Sequence, residues 1–306
     1  MSETCSAIAS DPNSSNLYAG ISGVQFPVNR FDFGHGVILS KTFAHLMAPF
    51  LLAFAPAEPG KPHPAPWKPA SGGLAFDIHA ELHIPLDLAV LPQWFDRLNT
   101  VWWVTALMRL KASPLIFVPV ISNESFSAVP SLDHEPRFWP IEVHLRRLMP
   151  EPSPARTTTL DALTWVRDHW IRAGVLMHDN DTFNVAFQAF DQTNWTSSPS
   201  LALVSLWGAL ERLFCPSQHE ITFRISATIA AYLEGPGKTR VALYKQVRNL
   251  YKARSKVAHG SKVDDAKPLI ETYALMKRVL VRIIGDDHIP TTDELESNIF
   301  SENNAI

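Results

Sequence analysis

Leu74-Ala75-Phe76-Asp77-Ile78-His79-Ala80-Glu81-Leu82-His83-Ile84 alternates apolar and polar side chains with a period of two. Successive side chains on a strand point to opposite faces, so Leu74, Phe76, Ile78, Ala80, Leu82 and Ile84 are expected on one face. Asp77, His79, Glu81 and His83 are expected on the other. His79, Glu81 and His83 are residue types that can bind a metal. Neighbours on one strand face lie about 7 Å apart, however, so two of them would share an ion only with help from elsewhere. A solvated or ligand-contacting sheet face is the expected reading, and no metal is assigned.

The surroundings extend this strand into a domain. Residues 1 to 18 are small and polar and are expected to form a disordered N-terminus. From Val24 to Phe54, short apolar runs are punctuated by Pro27, Gly34, Gly36 and Pro49, a strand-and-turn composition. Six prolines between Pro56 and Pro69 mark an extended surface loop. Pro92 opens a helix through Ala112, with Trp94, Leu98, Trp102, Ala106 and Arg109 in helical register. Leu115 to Ile121 reads as a buried strand that Pro119 pushes toward a sheet edge, and Phe138 to Leu148 as a further strand. Residues 19–148 are thus expected to form a mixed strand and helix domain, and a sensing or targeting role suits it.

Met149-Pro150-Glu151-Pro152-Ser153-Pro154 is the predicted boundary. Beyond it the pattern is helical, so the fold class is α+β, an N-terminal mixed domain followed by an all-α bundle over 157–285. Thr158 with Asp161 is read as a helix start, as is Ser198 with Pro199 at the first helical position. Further helices are expected at 182–192, 220–233, 239–259 and 265–284, with Gly285 as the last stop. Residues 286–306 are read as a polar, frayed tail.

In the helix expected at 239–259, Leu243, Val247 and Leu250 recur at helical spacing, and the stripe continues through Arg254 to Val257 and Ala258. Arg254 therefore occupies a position where an apolar residue is expected, which is costly unless the charge is paired or wet. The planar fork of Arg254 suits a phosphate, and His259 can exchange a proton near neutral pH. Residues five apart on an ideal helix point about 140° away from each other. The two would converge only if the last turn loosens, or with their copies across a seam between two chains. The alternative is structural: Arg254 paired with Glu211, and His259 favoured as a cation at a helix C-terminus.

The segment 198–285 resembles an Apea-like HEPN domain. The resemblance rests on Ser205-Leu206-Trp207-Gly208-Ala209-Leu210-Glu211-Arg212-Leu213-Phe214, on Arg224-Ile225 through Tyr232-Leu233, and on Leu250-Tyr251 through Arg254-Ser255-Lys256-Val257-Ala258-His259-Gly260. It implies a helical bundle that dimerises. It also implies a metal-independent ribonuclease without cofactor, in which Arg254 and His259 match the Arg-x4-His motif and Glu211 the acidic position. A phage-defence or toxin role in the cytoplasm comes from the resemblance alone. Ser255 departs from the Asn, Asp or His frequent after the arginine; it can hydrogen-bond but cannot serve as a second acid or base at neutral pH.

Composition bounds these readings. The chain has 306 residues, 46% hydrophobic and 19% charged, enough for two domains with a sizeable core. A net charge of −3 provides no general polyanion surface, so RNA would have to be met locally. Lys252, Lys256, Lys262 and Lys267 supply a basic strip, with Tyr251 and Tyr244 nearby for stacking; an ordinary solvated helix face would look the same. The two cysteines have neither metal nor disulfide spacing, no signal pattern precedes the core, and the apolar run 46–57 is short and broken by proline. A soluble cytoplasmic protein with no membrane contact is expected. A non-catalytic module binding nucleotide, RNA or a protein, and a purely structural dimerisation domain, are the competing functions.

Overall fold

The structure is a computed structural model and describes residues 16–92, 95–143, 148, 150–215, 221–258 and 265–300, the side chains at 48–50, 71–74 and 258 excepted. The fold is α+β: an N-terminal antiparallel sheet region followed by a helical region. The chain divides into two compact units. The first holds Met1–Met108, Leu115–Val143 and Ala155–Asp168; the second holds Arg109–Pro114, His144–Pro154 and His169–Ile306.

The first unit is built on a six-stranded sheet. Its strands are β1 (Leu17–Ser22), β2 (Arg30–Asp32), β3 (Ile38–Ala53), β4 (Trp67–Ile84), β5 (Phe117–Ser122) and β6 (Phe138–Pro140), in the order β2-β3-β4-β1-β5-β6 with every neighbour antiparallel. Leu17, Ala19 and Ile21 lie opposite Ile84, Leu82 and Ala80 and are buried with them. The helix α1 (Arg97–Lys111) buries Val101, Trp103, Val104 and Leu107 in this unit; it is apolar around most of its circumference, as a core helix must be. Gly20 sits in a tight place: an added Cβ would lie 2.9 Å from Ile78 Cδ1, so that side chain would have to move.

Several expectations need correcting here. Leu17 and Tyr18 belong to β1 rather than to a disordered segment. The long β4 begins at Trp67, within the proline-rich run. The polar face of β4 is not a solvated one at its centre. The Glu81 carboxylate is buried, accepting hydrogen bonds from Ser125 Oγ (2.7 Å) and the Phe126 amide (2.7 Å), because the loop after β5 folds over it. Ile78 is drawn into the same cover, packing with Val120 and Phe126. The His83 ring lies 4.8 Å from that of Tyr18, and burial lowers its pKa from the ordinary value. Strand β5 lies inside the sheet, not at its edge: Pro119 falls at a register irregularity, where no ladder donor is needed. Strand β6 ends at Pro140, and Trp94, Arg146 and Arg147 lie outside the described residues.

The second unit is helical. Its elements are α2 (Leu160–Asp179, of which the first turns belong to the sheet unit), α3 (Asp181–Gln192), α4 (Pro199–Phe214), α5 (Ile221–Leu233), α6 (Lys238–Ala258), α7 (Lys267–Asp286) and α8 (Thr292–Phe300). Helix α4 lies at the centre, against α3, α5, α6 and α7. It begins as its sequence directs, Ser198 Oγ accepting from the Leu201 amide with Pro199 at the first position. The start of α2 differs: Thr159, not Thr158, receives the Ala162 amide. The Thr158 backbone pairs instead with Gln25, which ties 155–168 to the sheet unit rather than to the bundle. Gly285 does not stop α7; the left-handed residue is Asp287 (φ 51°). Nor do residues 287–300 form a frayed tail. Glu294 accepts from the Thr291 amide and hydroxyl and pairs with His288, which starts α8, and Leu295 is buried where α8 meets α5. Among the described residues no helix is long and apolar enough to cross a membrane.

Candidate functional site

Helices α4 and α6 bring together the two charges that the sequence singles out. Arg254 Nη2 lies 3.1 Å from Glu211 Oε1 and 3.5 Å from Oε2, both side chains being half-buried. Nη2 donates a long hydrogen bond to Oε2, whereas its closer approach to Oε1 is a charge contact without one. Arg254 Nε and Glu211 Oε1 are buried, and neither has a hydrogen-bond partner among the described residues. A buried guanidinium donor left without an acceptor is costly, and an anion would satisfy it.

The pair rests on an aromatic floor. Tyr251, three residues before Arg254 and so on the same helical face, places its ring 5.6 Å from the Arg254 guanidinium carbon. The Tyr251 ring meets Trp207 edge-on at 5.2 Å. Trp207, four residues before Glu211 on α4, is anchored by its indole N–H donating to Thr272 Oγ1 on α7 (3.2 Å). Burial, and then the hydrogen-bonding Glu211 carboxylate with its charge, push the Tyr251 phenol up to about 12. Trp207 and Thr272 were not among the expected site residues. The spacing of Trp207 to Glu211 and of Tyr251 to Arg254 is the signal that could have found the floor.

The other expected residues divide. Tyr251 is buried, so its face cannot serve as the stacking platform expected for RNA bases; the Trp207 contact and the Arg254 head occupy it. Tyr244 is partly buried and packs edge-on with Phe223. Lys252 and Lys256 are exposed and one turn apart, forming a short basic face. Each is two residues from Arg254, about 200° around the helix, so this face is turned away from the Arg254 head. Lys267 is exposed and 3.7 Å from Glu271. Ser255 is partly buried. His259 and Lys262 lie outside the described residues. Among the described residues no group of three His, Cys, Asp or Glu side chains is placed to hold a metal ion.

Comparison with protein-family models, with curated proteins and with solved structures finds no match for this chain.

Proposed function

We propose that the chain is a HEPN-type endoribonuclease that cuts RNA by attack of a ribose 2′-hydroxyl on the adjacent phosphate. The observation that carries this reading is the Arg254 head, held beside Glu211 with its Nε donor unmatched among the described residues, on the helix that leads to His259. Arg254 would bind a non-bridging phosphate oxygen and stabilise the charge that develops there. His259 would take the 2′-proton or protonate the leaving oxygen, a role worth typically about 10²–10⁴-fold. Glu211 would orient Arg254 rather than touch substrate. A homodimer through the helical unit would supply two such pairs, so that one histidine acts as base and the other as acid. The mechanism requires no cofactor, and its need for a 2′-hydroxyl restricts it to RNA. A defence or toxin-type effector in the cytoplasm, with the sheet unit answering an unknown trigger, is the setting that fits.

The test compares wild type, Arg254→Ala and His259→Ala on mixed RNA at matched concentrations of folded protein. Cleavage with 2′,3′-cyclic phosphate ends, lost in both variants, is expected. DNA cut as fast as RNA would overturn the mechanism. A second reading draws on the Arg254–Glu211 pairing and on Ser255: a non-catalytic module that binds nucleotide, RNA or a protein through the same guanidinium. In that case His259→Ala leaves binding intact, and wild type produces no new RNA ends.

A further inference from the structure

We propose that the outer half of the β3–β4 hairpin is a homodimerisation arm, whose apolar face packs against the same face of a second copy. This inference is independent of the ribonuclease reading. Strand β2 accompanies β3 only to Ser40, and β1 accompanies β4 only to Ala80. From Ala44 to Ala53, β3 pairs with β4 from Trp67 to Ile78, and no third strand joins them among the described residues. A two-stranded ribbon is marginal in water unless its hydrophobic face is covered. Here that face is left open: Phe43 is 70% exposed, Met47 73%, Leu51 66% and Trp67 54%.

The size and the charge of the patch indicate what covers it. These four side chains present roughly 500 Å² of apolar surface on one face if each is given a full area of about 150–250 Å². Monomers rarely leave a contiguous patch beyond a few hundred Å². Two such faces packed together would bury about 1,000 Å² in total, the lower end for a specific interface, so one further copy of this arm would cover it. A lipid surface fits less well, because it favours a cationic rim. The charges along the arm are balanced instead: His45 pairs with Asp77 (2.7 Å) and Lys61 with Glu58 (2.6 Å). The exposed His45–Asp77 pair beside the apolar row also suits a two-fold axis, which would set each His45 near the partner's carboxylate. Pro49 and Pro69 remove backbone donors from the two strands, which favours packing by face over pairing by edge.

The test is the mass of the full chain in solution, measured by light scattering over a concentration series. The samples are wild type and the double variant Met47→Lys/Leu51→Lys. In addition, Met47→Cys, in a chain with Cys5→Ser and Cys215→Ser, is treated with a short bismaleimide. Both lysines replace exposed side chains, so circular dichroism should match wild type. The expected result is an assembled wild type, a dissociation constant raised at least about tenfold by the double lysine variant, and a two-chain product from Met47→Cys. A monomeric wild type, a mass unchanged by the lysines, or a monomer that floats with anionic phospholipid vesicles would each overturn the proposal. RNA cleavage is scored separately on the same samples, so failure of the arm and failure of the ribonuclease are distinguishable.

Discussion

Arg254 is a charge placed where helical periodicity calls for an apolar side chain, and the fold answers with Glu211 on one side and the Tyr251 ring beneath. Lysine at this position would keep the charge but lose the Nε donor and the planar fork. Cleavage by Arg254→Lys is therefore expected to fall nearly as far as by Arg254→Ala, in initial rates on RNA. Tyr251 offers a pH test. Its phenol is held up at about 12 against an ordinary 10.0, so the protonated form is favoured in the fold. The contribution is fully present below pH 10 and is lost as pH rises through about 12. Tyr251→Phe should flatten the alkaline fall in stability across that window, in urea midpoints measured along a pH series. A second ion pair is fully buried. Arg109 Nε and Nη2 donate to Asp191 Oδ1 (2.7 Å) and Oδ2 (3.0 Å), both residues being buried, with Trp195 5.6 Å from the guanidinium. Asp191→Ala would leave a buried cation and should cost about 3–5 kcal/mol in denaturant unfolding.

At the level of elements, local signals explain starts better than stops. Ser198 before Pro199 opens α4 as its chemistry requires, and Ser198→Ala should cost about 0.5–2 kcal/mol in the same unfolding measurement. The end of α7 was misread at Gly285 because the left-handed residue is Asp287, and an aspartate tolerates that conformation less visibly than a glycine announces it. Helix α8 was missed because 286–306 is polar in composition. Its one buried anchor, Leu295, acquires meaning only once α5 stands against it. Leu295→Ala is expected to cost about 2–5 kcal/mol if α8 unfolds with the bundle. Early protease cleavage near 292–300 without a shift in the main unfolding transition would show instead that α8 is held separately.

For the molecule as a whole, the division into a sheet unit and a helical unit does not follow the proline-rich boundary residue by residue. Residues 155–168 join the sheet unit through Gln25, which receives the Thr158 amide (2.9 Å) while its own amide donates to Arg156 (2.8 Å). Such pairings between residues more than a hundred positions apart leave no periodicity in sequence. The long hairpin arm shows the same gap. The alternation of β4 was legible, but the length of strand left without a third neighbour depends on where β1 and β2 end.

The sequence by itself determined the α+β class, the helices of the second unit up to α7 and the cap of α4, because helix period, strand period and capping are local properties of the chain. Only the tertiary structure decided that Glu81 is buried under the 125–126 backbone and that the Tyr251 ring meets Trp207 and the Arg254 head. It alone also left the apolar face of the β3–β4 arm open. These outcomes depend on which surfaces meet, and burial and pairing between distant segments are set by packing rather than by neighbours in the chain.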